Sequence, residues 1–258
     1  MDLRCSVASA QDGEALAGTA PTDVTWLLVE QAGDWAPKVP LARADARVQL
    51  IRRHGGGSGP GVRVFWVDLG AGTLGTTVVR DAAEAVLVQP PDLTPYDGPL
   101  WLVCTHGRRD VCCAERGRPV AAALAERWPQ ETWETTHLGG HRFAATLLAV
   151  PSGIALGRLT PRSAVAACES LRQGRLELDV VRGRAGTPAI AQVAEHHLRV
   201  RDALRGLDDV RVVALDGDRV TLSTPGGTET VRLRAQETPR RQSCGEDGVK
   251  PATAYRLG

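Results

Sequence analysis

Five residues that bind metals in many proteins lie in two short stretches of the sequence. Three are cysteines in VCTHGRRDVCC, and two are histidines in THLGGHRF: Cys104, Cys112, Cys113, His137 and His141. Thiolates and imidazoles are the ligands of tetrahedral zinc sites and of Rieske-type two-iron, two-sulfur clusters. The spacing is that of neither zinc fingers nor Rieske centres, so both kinds of centre stay open. The third alternative is that these residues are unrelated.

Two glycines, Gly139 and Gly140, separate the histidines. Histidines four residues apart share one face of a helix, but each glycine would cost such a helix about 1 kcal/mol relative to alanine. We therefore predict a loop over residues 137–143. Glycines let a loop backbone approach a bulky centre closely and point amide N–H groups at it. This favours an anionic cluster over a lone zinc ion.

Apolar runs and turn residues predict the elements that must position these side chains. We expect, in order, a strand at 100–104, a polar loop to 117, a helix at 118–128, strands at 131–136, 144–151 and 154–159, and a helix at 160–174. Thr160 caps that last helix and Gly174 ends it. The order β-α-β-β-β-α predicts an α/β fold with a thioredoxin-like core. The first two strands are then parallel, and the loops that carry the cysteines and histidines meet at one sheet edge.

The flanking segments predict further strands and one more helix. Strands are expected at 24–30 and 62–70, and residues 46–53 fit a strand or a helix; a helix at 188–207 and an antiparallel β meander at 210–235 follow the core. The glycine-rich run 54–61 is interpreted as a hairpin or linker, because a phosphate loop must lead into a helix. We divide the chain into a β-rich segment 1–95, continuous with the core sheet or separate from it, a cluster-binding core 96–180 and a C-terminal segment 181–258.

Composition excludes several classes of function. The chain has 258 residues, is 43% hydrophobic and carries a net charge of +1, so composition gives no argument for nucleic-acid binding and none is expected. No apolar run approaches the ~20 residues of a membrane span, and the N-terminus does not resemble a signal peptide. We expect a soluble cytoplasmic protein with reduced thiols. Cys168 is interpreted as a small buried hydrophobe, whereas Cys5 and Cys244 lie in polar, loop-like stretches and receive no role.

The segments VCTHGRRDVCCAERGRPVAAAL and WETTHLGGHRFAATLLAVPSGIALGRL resemble the sucrase/ferredoxin-like family over about residues 98–175. GTAPTDVTWLLVEQAGDW and RRQSCGE resemble it more loosely. The family includes thioredoxin-like ferredoxins with bis-histidinyl clusters. The resemblance implies one [2Fe–2S] cluster held by Cys104, Cys113, His137 and His141, with Cys112 outside the ligand set. No carboxylate pair stands out as a glycosidase acid and nucleophile, so we predict no sucrase activity.

Five neighbours of these ligands are candidate supporting residues: His106, Asp110, Gly139, Gly140 and Arg142. His106 and Asp110 would orient a ligand imidazole, although Asp110 also suits a helix cap. Arg142 would offset cluster charge or guide a partner, or else is a solvated surface residue.

The sequence thus predicts a one-electron carrier, with a redox partner protein that it does not identify, rather than an enzyme. Neutral imidazoles replace two anionic thiolates, which should raise the reduction potential and couple it to a proton. The alternatives are a structural Cys₂His₂ zinc protein and a thiol–disulfide oxidoreductase, although the latter usually works through C-x-x-C, which is absent here.

Overall fold

Apolar stretches separated by turn residues build two β-sheets in this chain. A computed structural model describes residues 4–57, 59–246 and 248–258. The helices in these ranges are α1 (Cys5–Gln11), α2 (Ala82–Ala85), α3 (Val111–Arg127), α4 (Pro161–Arg172) and α5 (Ala189–Arg201). The larger sheet contains β1 (Thr25–Glu30), β2 (Arg47–Arg52), β3 (Val62–Asp68), β4 (Thr73–Val79), β5 (Thr94–Pro95), β6 (Leu100–Cys104), β7 (Thr132–Thr135), β8 (Leu147–Val150), β9 (Ile154–Leu156) and β10 (Val181–Arg184). The smaller one contains β11 (Arg211–Asp216), β12 (Arg219–Thr224), β13 (Gly227–Arg240) and β14 (Lys250–Leu257).

The larger sheet has ten strands in the order β10-β9-β8-β6-β7-β2-β1-β3-β4-β5. β6 pairs in parallel with β7, so that Cys104 lies opposite Thr135, and antiparallel with β8. The parallel pair that the sequence predicted is therefore present, joined by α3. Because both strands point the same way, the chain leaves them at the same sheet edge.

Strand β6 is buried on both of its faces, as its fully apolar sequence predicts. Trp101 and Val103 pack in the core that includes the buried faces of α3 and α4. Leu102 and Cys104 alternate to the opposite face and join a second core. The last residue of β6 is thus a cysteine held in a dry, packed environment.

The predicted loop over residues 105–117 is wrong in its second half, because α3 begins at Val111. The side chain of Asp110 accepts a hydrogen bond of 2.9 Å from the backbone N–H of Cys112, which makes it the N-cap of this helix. Pro119 lies inside the helix rather than at its start. As a result Cys112 and Cys113 lie in the first helical turn, on a rigid element.

The ends of the chain also differ from the prediction. Helix α5 ends at Arg201, six residues short of the predicted end at 207, and β13 runs past the predicted meander to Arg240. β14 pairs with it along its whole length although the tail shows no alternation, and Pro251 lies opposite Pro239. β14 is an edge strand, where proline is tolerated because one side of the strand needs no partner. No helix in the described ranges has the length and apolar character needed to cross a bilayer.

Candidate functional site

Three of the four predicted ligands converge at the shared end of β6 and β7. Cys104 ends β6, Cys113 lies in the first turn of α3, and His137 follows β7. The thiol sulfurs and an imidazole nitrogen of these residues all lie within 4.8 Å of one another. Cys113 Sγ is 3.9 Å from His137 Nδ1.

The fourth predicted ligand, His141, lies against the ring of His137. Its Nδ1 is 3.3 Å from Nε2 of His137, and the two ring centroids are 4.8 Å apart. His141 falls outside the compact group of three. The two thiols and two imidazoles therefore form an extended series rather than a shell around one point.

The approach of α3 to β6 depends on Gly117. A Cβ atom at this position would lie 2.1 Å from the carbonyl oxygen of Cys104, which no side chain can do without moving the helix. Since Cys113 is one turn earlier on α3, Gly117 sets the distance between the two cysteines.

The two thiols of this group have opposite tendencies to ionise. The pKa of Cys104 is lowered well below its usual value, mainly because the Cys113 thiol donates a hydrogen bond to it, with His137 and the backbone N–H of His106 adding to the effect. The same hydrogen bond, together with burial, raises the pKa of Cys113. The hydrogen bond between the thiols therefore favours ionisation of Cys104 over that of Cys113.

The backbone of the HLGGH loop is fixed from two sides. The carbonyl oxygen of His137 accepts hydrogen bonds from Nη2 of Arg47, at 2.8 Å, and from Nε2 of Gln49, at 3.1 Å, both on β2. Gly140 has a φ of +69°, and a Cβ there would lie 2.4 Å from Nη2 of Arg182. Positive φ and close packing together explain a glycine at this position.

Arg182, on β10, is a component of the site that the sequence did not reveal. It is 2% exposed, and its guanidinium donates to the carbonyl of Gly139 at 3.2 Å and to Thr19. Burial, and then Arg142, lower the pKa of Arg182 to about 9, while Cys104 and Cys113 act in the opposite direction. The guanidinium is still charged at neutral pH, so a buried cation lies beside the thiols. The sequence VVRGR carries no sign of this burial.

His106 is directed away from the two histidine rings. Its Nε2 is 2.8 Å from the carbonyl oxygen of Ala36, and its ring makes an edge contact with Trp35. Its buried Nδ1 has no hydrogen-bond partner among the described residues. Burial lowers the pKa of His106, so the ring is neutral at pH 7 and donates from Nε2.

Asp110 and Arg142 connect the site to the two ends of the chain. Besides capping α3, Asp110 accepts from the hydroxyl of Ser243, at 2.9 Å, and from the backbone N–H of Cys244, at 2.8 Å. Its Oδ2 is 3.8 Å from Nε2 of His141. Arg142 has only 14% of its side chain exposed and forms an ion pair of 2.9 Å with Glu14. It is therefore a packed residue rather than a solvated one.

The vicinal cysteines belong to two different groups. Cys112 lies away from Cys113 and forms a second compact group with Cys5, Asp110 and Cys244. The predicted polar loop around Cys5 is wrong, since Cys5 begins α1 and is fully buried. No sequence signal joins two cysteines at opposite ends of the chain. Cys168 is buried in the core between α3 and α4, as expected for a small hydrophobe.

The donor set is chemically suited to a soft transition-metal centre, because two thiols and two imidazoles bind zinc or iron–sulfur clusters and not hard cations. Among protein families, the model described as sucrase/ferredoxin-like matches residues 67–183. The match spans both loops of the site. No curated protein and no solved structure matches the chain. Over residues 67–183 the chain is therefore similar to the sucrase/ferredoxin-like family.

Proposed function

We propose that this protein carries single electrons through a [2Fe–2S] cluster held by Cys104, Cys113, His137 and His141. The observation that carries the proposal is the extended series of two thiols and two imidazoles, with His141 Nδ1 3.3 Å beyond His137 and outside the compact group. One zinc ion needs four donors around a single point, whereas two irons accept two pairs of donors. When bound, the cluster supplies reversible uptake of one electron.

The proposal includes a thioredoxin-like core made of β6, α3, β7, β8, β9 and α4. Supporting it, these strands neighbour one another in the order β9-β8-β6-β7, with one parallel pair and two antiparallel pairs. Such a core presents both ligand loops at one edge.

The exposure of the four proposed ligands indicates which side of the cluster would exchange electrons with a partner. Cys104 and Cys113 are each 1% exposed, whereas both histidines are partly exposed, the side chain of His141 by 11%. We expect a redox partner protein to approach the imidazole edge. The buried charge of Arg182 favours the reduced, more negative state. A cytoplasmic location, where thiols stay reduced, remains a prediction.

Electron uptake is also proposed to be coupled to a proton on an imidazole. Burial lowers the pKa of His141, and Asp110 acts in the opposite direction. Asp110 supports the coupling, because its Oδ2 lies 3.8 Å from His141 Nε2 and a carboxylate favours the protonated ring. An imidazole binds its proton more tightly in the reduced protein, so the potential should fall as pH rises, by at most about 59 mV per pH unit. Redox titrations from pH 6 to pH 10 test this. A flat potential contradicts it, and a slope that persists in both His137→Cys and His141→Cys assigns the proton to another group.

Anaerobic purification of the full chain, followed by iron, zinc and acid-labile sulfide analysis, tests the cluster itself. We expect two irons and two sulfides per chain and a visible absorption spectrum. Zinc in these four ligands, with no labile sulfide, would contradict the proposal and favour a structural zinc site. A metal-free chain that cycles a disulfide between its thiols would favour a thiol–disulfide oxidoreductase.

A further inference from the structure

A second group of thiols lies on the other side of Asp110 from the histidines. It brings together Cys5 from α1, Cys112 from the first turn of α3, and Cys244 from the segment after β13. The Sγ of Cys112 is 3.6 Å from that of Cys5 and 3.3 Å from that of Cys244. With a carboxylate oxygen of Asp110, all ligand atoms lie within 4.8 Å of one another.

We propose that Cys5, Cys112, Cys244 and Asp110 form a second metal site, which binds one Zn²⁺ ion independently of the cluster. Zinc–sulfur bonds of about 2.3 Å in a tetrahedron give sulfur–sulfur separations of about 3.8 Å. The two separations, 3.6 and 3.3 Å, are somewhat shorter than that value. All four donors lie within 4.8 Å of one another, which suits a single ion.

The groups around the thiols are those that stabilise metal-bound thiolates. The backbone N–H of Cys5 donates to Cys244 Sγ at 3.2 Å, and the hydroxyl of Ser6 donates to Cys112 Sγ at 3.3 Å. These donors, and the position of Cys112 in the first turn of a helix, favour a metal-bound thiolate there. Binding of zinc would release the protons of the thiols that are still protonated.

Asp110 has a lone pair free for a cation. Its Oδ2 accepts from Ser243 and from Cys244, whereas its Oδ1 accepts from the N–H of Cys112 alone among N–H and O–H donors of the described chain. Oδ1 is also 3.8 Å from Cys5 Sγ. A carboxylate oxygen has two acceptor positions, so Oδ1 can bind zinc while the other oxygen stays hydrogen-bonded, as in many metal sites.

A disulfide does not account for this group equally well. Pairing two of its sulfurs requires an oxidant and a contraction from 3.3 Å or more to about 2.05 Å. It would also leave the third thiol unpaired. A zinc ion uses all four residues and joins both chain ends to the helix that carries Cys113.

Metal analysis of the full chain and of matched variants tests the proposal. We expect one zinc per wild-type chain, in addition to any iron. Cys5→Ser and Cys244→Ser should lose the zinc and keep the iron, Cys104→Ser should lose the iron and keep the zinc, and Cys168→Ala, a buried cysteine outside both groups, should keep both. Loss of zinc from Cys104→Ser, with zinc kept in Cys5→Ser and Cys244→Ser, would overturn the proposal.

X-ray absorption at the zinc edge identifies the zinc ligands in the wild-type protein. This test does not depend on variants, which could fold poorly. Three sulfurs at about 2.3 Å and one oxygen at about 2.0 Å support the site. A shell containing nitrogen from histidine would assign the zinc to the first group instead. A zinc-free protein, or a Cys112–Cys244 disulfide in anaerobic, zinc-replete protein, would overturn the proposal.

Discussion

The two cysteine groups are built from neighbouring residues of one helix turn, yet they differ in almost every property that decides function. Cys113 lies beside His137, which contacts His141, and both histidines are partly exposed. Cys112 instead lies beside two further cysteines and the Asp110 carboxylate. The first group is open on one side and extended, which suits electron exchange with a partner. The second is compact and mostly buried, with Cys244 its one partly exposed member, which suits a structural ion. Consecutive residues on a helix point about 100° apart, so one Cys-Cys pair can serve both.

The largest effects are expected from single substitutions of Cys112 and Cys113, because each should empty one metal site and leave the other intact. Cys113→Ser should abolish the visible absorption of the proposed cluster, because one of its proposed ligands is lost. Cys112→Ser should leave that absorption intact and remove zinc. If Cys113→Ser kept the visible absorption and Cys112→Ser lost it, the ligand assignment would be shifted by one residue.

Gly117→Ala should disturb the geometry of the first group more than that of the second. The added Cβ would lie 2.1 Å from the Cys104 carbonyl, so α3 must move away from β6. We expect a loss of about 1–3 kcal/mol in the free energy of unfolding and less iron per chain. Chemical denaturation and iron analysis measure both, with Ala123→Ser on the same helix as the control. Unchanged stability would contradict the close packing.

A smaller effect should follow from removing the buried charge beside the first group. Arg182→Met takes away a cation that favours the reduced state, so the reduction potential should fall, by on the order of 50 mV. The matched control is Arg158→Met, another mostly buried arginine that instead donates to Ser9 and Glu14. Equal shifts in both variants would mean that Arg182 has no special effect on the cluster.

The smallest expected effect concerns acid stability. The pKa of His106 is lowered by burial, so below its unfolded value of about 6.5 the unfolded chain binds a proton more readily than the folded one. The stability of the folded state should therefore decrease as pH falls below that value. His106→Phe should flatten the decrease in unfolding free energy measured between pH 7 and pH 5. A slope identical to that of the wild type would contradict a neutral, buried His106.

The contrast between the two groups also explains what the sequence could reveal. The strands that end at Cys104 and before His137 were predictable, because LWLVC is a short apolar run and ETWETT alternates, and each is bounded by turn residues. The start of α3 was missed because GRRDVCC is polar, and only the cap at Asp110 marks the boundary. Cys5 and Cys244 were left without a role since their proximity spans 239 residues, which local periodicity does not encode. Arg182 was missed because burial of an arginine depends on tertiary packing alone.

Pulsed electron paramagnetic resonance of the chemically reduced, anaerobically purified full chain tests the central claim most directly. It reports the spin of a reduced cluster and the nitrogen nuclei bound to it in one measurement. We predict one unpaired spin per two irons, coupled to two histidine nitrogens in the wild type and to one in His137→Cys and in His141→Cys. A spin without nitrogen coupling, or no spin in protein that contains iron and sulfide, would contradict a cluster held by two cysteines and two histidines.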